Sequence, residues 1–164
     1  DPKNGVTPQN DALLIASEKQ PGMSVYWEWN ASFKNEAYVE ARVKVLSGTN
    51  TIVFSDGDYK EVLLIFPDHI KLLYSGRSYT MNTTDNFYYY RIYIKNLIVH
   101  VYIDGNLVIK ENLSNYDGTH VENKVSFGVH GDNLPGRALW KAIKAHSSSG
   151  DAGLYDAMIT VRSR

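Results

Sequence analysis

A chain of 164 residues with a formal net charge of −1 can bury one full-sized core and carries no bias toward nucleic acid or anionic lipid. It has no cysteine, which excludes a disulfide framework, a thiolate metal site and a cysteine nucleophile. No apolar run approaches the roughly 18 residues of a membrane span.

The first residues, "DPKNGVTPQND", mix Pro, Gly, Asn and Asp with little apolar content. Residues 1 to 10 therefore read as a linker into one domain over 11 to 164, and the missing Met suggests an excised domain or a mature form. "ALLIASE" gives a first short strand, "QPG" a turn and "MSVYWEWNAS" a second strand. In "AYVEARVKVLSG", Val39, Ala41, Val43 and Val45 fall on one face while Tyr38, Glu40, Arg42 and Lys44 fall on the other. That is period two, a half-buried strand.

Short strands follow, cut by "SDGD", "FPDH" and "YSGR", with a hairpin turning at Ser75-Gly76. "FYYYRIYI" and "LIVHVYIDG" form a hairpin joined at Lys95-Asn96, and Asp104-Gly105 turns tightly into "NLVIKEN". "KVSFGVHGD" is another strand, "RALWKAIKAHSSSG" begins as one, and "GLYDAMITVRS" closes the chain. The 3-4 spacing of Ala138, Leu139, Ala142 and Ile143 also allows a helix over "RALWKAIKAH". Many short strands, regular turns and no other helical period predict an all-β, two-sheet antiparallel sandwich of jelly-roll type.

Twelve tyrosines and three tryptophans favour aromatics with a polar tip, suited to surfaces that are apolar at one end and wet at the other. Good strand formation by Tyr is the plainer explanation. Alternation along the tyrosine hairpin puts Phe87, Tyr89, Arg91, Tyr93 and Lys95 on one face and Tyr88, Tyr90, Ile92 and Ile94 on the other. On the partner strand, Ile98, His100 and Tyr102 oppose Leu97, Val99, Val101 and Ile103. The Ile/Val sides must be core. The other sides offer Arg91, Tyr93, His100 and Tyr102, beside Glu40 and Arg42 of a neighbouring strand, as a face on which rings stack against pyranoses and charged forks meet hydroxyls. Cross-strand pairing without any ligand uses the same residue types. A loop rim with Trp27, Asp58 and Trp140 is the other candidate location.

"YVEARVKV", "YYYRIYIKNLIVHVYIDGNLVI", "VSFGVHGD" and "LYDAMITV", in that order, resemble the concanavalin A-like lectin/glucanase superfamily, especially its laminin-G-like and carbohydrate-binding members. The resemblance covers roughly residues 11 to 162. It implies two curved antiparallel sheets, with glycan held on the concave face or at the loop rim. It also implies a structural calcium joining a C-terminal Asp, here Asp156, to an acidic residue near the N-terminus, with Glu18 as the partner. Independently, Asp56 and Asp58 place hard oxygens on one turn, as calcium prefers, although ordinary turns carry the same string. The five histidines show no close zinc spacing.

Glucanases of the superfamily need an acid and a nucleophile about 5 to 5.5 Å apart, from a Glu-x-Asp-x-x-Glu strand. "EARVKV" puts Arg and Lys there instead, which argues against hydrolysis. A polysaccharide lyase needs a His or Tyr base and cations that neutralise a uronate, and Arg91, Tyr93, His100 and Tyr102 are of those types. The superfamily's lyase strings, Gln-Ile-His and Tyr-Lys-x-Gly-x-Tyr, are absent. Nucleophile-elbow and zinc-protease motifs are absent too. The expectation is a non-catalytic carbohydrate-binding module of a larger secreted or cell-surface protein, its partner a polysaccharide rather than nucleic acid. A lyase domain is the alternative, and a laminin-G-like protein-interaction module a second one.

Overall fold

Strands make up all the regular structure of the residues described by the computed structural model, which are 5–18, 25–30, 36–56, 60–113, 123–129 and 134–147. In chain order they are β1 (Gly5–Gln9), β2 (Ala12–Ser17), β3 (Val25–Asn30), β4 (Glu36–Gly48), β5 (Asn50–Asp56), β6 (Lys60–Ile65) and β7 (His69–Leu72). Then come β8 (Ser78–Thr80), β9 (Tyr88–Lys95), β10 (Ile98–Ile103), β11 (Asn106–Asn112), β12 (Asn123–Val129) and β13 (Gly136–Ser147). One sheet runs β1-β2-β13-β4-β9-β10-β11 and the other β3-β12-β5-β6-β7-β8. All pairings are antiparallel. This is a two-sheet β-sandwich of jelly-roll type, and no helix long and apolar enough to cross a membrane occurs among the described residues.

Alternation decides which side chains meet between the sheets. From the seven-stranded sheet come Val39, Ala41, Val43, Val45, Tyr90, Ile92, Val99, Val101 and Trp140. Ile52, Phe54, Leu63, Ile65, Ile70, Leu72, Val125 and Phe127 come from the six-stranded sheet. Tyr90 is wholly buried among them, and Trp140 packs its ring 5.0 Å from that of Phe127.

The chain crosses from one sheet to the other between β4 and β5 and again between β12 and β13, and the two crossings touch. Gly48 pairs with Gly136 in the β4–β13 ladder, and Thr49 N donates to Pro135 O at 2.9 Å. A Cβ on Gly48 would stand 2.0 Å from Pro135 O, and one on Gly136 would stand 2.1 Å from Thr49 O. Gly48 also has φ of +62°, in the region that favours glycine. At this same end of the sandwich Thr83, fully buried, ties the sheets again. Its N–H donates to Pro67 O, its hydroxyl to Phe66 O at 2.6 Å, and its carbonyl accepts from Val45 N.

Two tight turns set the hairpin registers. Asn96 and Leu97 both take positive φ between the paired Lys95 and Ile98, and Asp104 and Gly105 do so between Ile103 and Asn106. The first turn lies one residue later than the Lys95-Asn96 junction expected from sequence. Asn and Asp tolerate this conformation, and Leu97 is held there by the register on both sides.

Two expectations change. Residues 5 to 9 are an edge strand rather than linker, pairing Val6 with Ile15 and carrying Pro8, which such an edge tolerates. Residues 136 to 147 form the strand expected to begin at "RALWKAIKAHSSSG", and the helix its 3-4 spacing also allowed does not form, because β2 and β4 pair with both its edges. Trp140 is a core residue. The closing strand expected at "GLYDAMITVRS" lies outside the described residues.

Glu61 is a buried carboxylate with no exposed surface. Its Oε1 accepts from Val62 N at 2.9 Å and Tyr74 N at 3.1 Å, so it anchors the β7–β8 turn. Burial pushes its carboxyl above the ordinary 4.5, against the opposing pull of those amides. The folded state therefore holds this proton more tightly than the unfolded chain does. Its contribution is fully present below the ordinary value and is lost as pH rises toward the folded value.

Two outcomes follow from these contacts. Glu61→Gln should remove that pH dependence: the stability of wild type relative to the variant, from denaturant unfolding, should fall as pH rises above the ordinary carboxylate value. A difference independent of pH would show that Glu61 titrates normally. Gly48→Ala and Gly136→Ala should each destabilise by about 1–3 kcal/mol, lowering the melting temperature by several degrees, because backbone must move to admit the methyl. Unchanged melting would mean the crossings are not in contact.

Candidate functional site

The outer face of the seven-stranded sheet is built by β4, β9 and β10, and register alone brings the six expected residues together on it. Glu40 of β4 faces Arg91 of β9, which faces Tyr102 of β10. One row along, Tyr38 faces Tyr93, which faces His100. In the opposite direction Arg42 faces Tyr89. Inward neighbours Val39, Ala41, Ile92, Val99 and Val101 are buried, so the pleat leaves these side chains no other direction.

Their contacts are specific. Arg91 Nε lies 3.5 Å from Glu40 Oε1, and its guanidinium carbon lies 4.8 Å from the Tyr38 ring centroid and 5.9 Å from that of Tyr93. One charge thus meets a carboxylate and two ring faces. Tyr93 and His100 rings are 5.8 Å apart, and His100 and Tyr102 are 6.4 Å apart and within 22° of parallel. His100 Nδ1 is shut off from solvent and has no hydrogen-bond partner among the described residues. Tyr89 is pushed up to about 12, by burial first and then by its hydrogen bond to the Glu40 carboxylate. That phenol stays protonated, a donor held by Glu40.

Tyr38 and Tyr89 belong to this cluster, although sequence reasoning did not include them among the site residues. Alternation already placed Tyr38 with Glu40 and Tyr89 with Arg91; what was missing was the register that makes them neighbours. Lys144 of β13, facing Glu40, and Lys110 of β11, facing His100, complete the surroundings. Lys144 was not readable in this way, because nothing in the sequence says that β13 lies beside β4.

Of the three residues expected for the alternative rim, one is excluded from it, Trp140. Trp140 is only 3% exposed and belongs to the core, Asp58 lies outside the described residues, and of Trp27 only the backbone, paired with Phe127, is described. For calcium, Asp156 lies outside the described residues and Glu18 is exposed just after β2. Among the described residues no group of three or more His, Asp or Glu side chains gathers to hold a metal ion.

No protein-family model matches the sequence, and no curated protein matches it. Solved structures do share its architecture. A sialidase superposes with a TM-score of 0.66 at 15% identity over 88% of this chain, which spans only 16% of that protein. Alginate lyase AlgAT5 from Polysaccharide Lyase family 7 gives 0.57 at 10% identity, covering 89% of this chain and 83% of its own. The carbohydrate-binding module CBM66 from Bacillus subtilis gives 0.54 at 12% identity, covering 87% and 91% respectively. At these identities the likeness is one of fold: the chain has the concanavalin A-like sandwich fold.

Proposed function

We propose that this domain is a carbohydrate-binding module that holds polysaccharide on the outer face of its seven-stranded sheet and does not cleave it. The observation that carries the reading is the set of rings Tyr93, His100 and Tyr102, stepping 5.8 Å from β9 to β10 and then 6.4 Å along β10, beside the Arg91–Glu40 pair. Rings offer flat apolar faces to pyranoses, and the charged pair offers donors and acceptors to hydroxyls. The fold's neighbours, a carbohydrate-binding module and an alginate lyase among them, support polysaccharide as the ligand class. In this reading the module acts outside the cell, tethered to a partner domain, as expected for a face built to meet a polymer.

Cleavage by elimination is the second reading, favoured by one feature. His100 stands beside two tyrosines, in a cluster that includes Arg91. In such a reaction a base removes the uronate's C5 proton, the electron pair forms the C4–C5 double bond, and the C4 oxygen departs with a proton from a tyrosine. Arg91 would neutralise the carboxylate meanwhile.

Stacks and charge-assisted contacts of about 1 kcal/mol each support micromolar-to-millimolar binding. Replacing Tyr93 and Tyr102 together by Ala should abolish retention in affinity electrophoresis across a polysaccharide panel, with the far-ultraviolet spectrum unchanged. Retention that survives and is lost on changing Trp27 instead would move the site to the rim. Incubation with alginate, glucuronan and pectin should leave the ultraviolet absorbance flat. A rising enoate absorbance that disappears in His100→Ala or Tyr102→Phe would make elimination the function.

A further inference from the structure

Charge on the outer sheet face is lopsided in a chain whose formal sum is only −1. Arg42, Arg91, Lys110 and Lys144 surround the rings, and the carboxylate among them is Glu40. Depth separates the signs. The Glu40 side chain is 16% exposed and is already engaged by Arg91 and Tyr89, whereas Arg91 is 43% exposed and Arg42, Lys110 and Lys144 are exposed. The acid lies below and the cations stand outward.

Other charges of this face are already engaged. Lys141 Nζ holds Asp11 Oδ2 at 2.6 Å and lies over the Phe87 ring, and Lys44 Nζ reaches Asp85 O. Asp104, in the β10–β11 turn, accepts the Tyr89 amide. Among the described residues Arg42, Lys110 and Lys144 thus remain as the charge offered to a ligand, with Arg91, paired to Glu40, between them.

Their spacing suits a polymer. Lys144 on β13 and Lys110 on β11 are separated by four strand intervals through β4, β9 and β10. At about 4.8 Å per interval that is about 19 Å, longer than one sugar ring, with Arg91 midway.

Building on the polysaccharide reading above, we propose that the ligand is an acidic polysaccharide laid across β13, β4, β9, β10 and β11. Its acid groups, carboxylate or sulfate, meet Arg42, Arg91, Lys110 and Lys144, and its ring faces rest on Tyr93, His100 and Tyr102. Exposed cations attract such a polymer at long range, and dissolved salt screens that attraction.

The test titrates the chain with polygalacturonate, dextran sulfate, a panel of neutral polysaccharides and single-stranded DNA, at low and high salt. An acidic polysaccharide should bind at least about tenfold more tightly than any neutral one, weaken with salt, and tighten with oligosaccharide length. Lys110→Gln and Lys144→Gln, which keep most of the stem, should each weaken it about threefold to fivefold, with melting temperature unchanged. Preference for polygalacturonate or dextran sulfate tells carboxylate from sulfate. Neutral polysaccharide bound as tightly, salt-independent and indifferent to both substitutions, would overturn the acidic ligand while leaving polysaccharide binding intact. No binding to any polysaccharide would overturn both. DNA retained as well as the acidic polysaccharides would reduce the face to an unselective cationic surface and overturn the proposal.

Discussion

Where the chain passes between the sheets, two backbones touch with no room for a side chain, and much of the molecule's register depends on that contact. Gly48 and Gly136 are the residues that allow it, and Thr49 N–Pro135 O pins the crossing segments together. Fixing those two points aligns β13 against β4 along its length, with shifts at Arg137/Ala138 and Trp140/Ala142 absorbing the mismatch. Because side chains alternate with period two, a slip of one residue would turn Val39, Ala41 and Val43 outward and bury Glu40 and Arg42. The core and the candidate site are thus two readings of one register.

The tyrosines show how the same residue type is spent differently on the two sides of the sheet. Tyr90 lies wholly in the core, where its hydroxyl is buried without a hydrogen-bond partner among the described residues, and Trp140 Nε1 is in the same position. Each such group costs on the order of 1–3 kcal/mol, a loss offset by the large apolar area its ring buries. Burial pushes the Tyr90 phenol far up, so it stays neutral in place. On the outer face the adjacent Tyr89 has its hydroxyl on Glu40, and Tyr38 and Tyr93 present their rings to Arg91. Polar tips that cost stability inside become contacts outside.

What the sequence disclosed follows this division. Period two along 37 to 45 and 87 to 103 was enough to assign each side chain to core or outer face, and those assignments hold for Val39 to Val45, Tyr90, Ile92, Val99 and Val101. The Asp104-Gly105 turn was legible because its conformation demands those residues. Strand order was not legible. Pairing of β13 between β2 and β4 joins residues about a hundred positions apart in sequence, and no local pattern encodes that. Hence Lys144 went unnoticed, and the edge pairing that makes residues 5 to 9 a strand was read as linker from their turn-forming composition. Trp140, a candidate for the loop rim, lies instead in the core, because its register opposite the buried Val43 turns its ring inward against Phe127.

Dispersal of charge is the ground for proposing binding rather than cleavage at this face. Elimination from a uronate needs its positive charge concentrated at one carboxylate, where it stabilises charge that develops only in the transition state. Here Arg91, the cation nearest the middle, divides its charge between Glu40 and the rings of Tyr38 and Tyr93. Arg42, Lys110 and Lys144 stand on three different strands, β4, β11 and β13, spread over about 19 Å. Charges arranged so hold successive groups of a polymer equally before and after any bond breaks, which tightens binding without lowering a barrier. If the face binds polymer as proposed, a tethered neighbour would raise the effective concentration of polymer there and with it the working strength of binding.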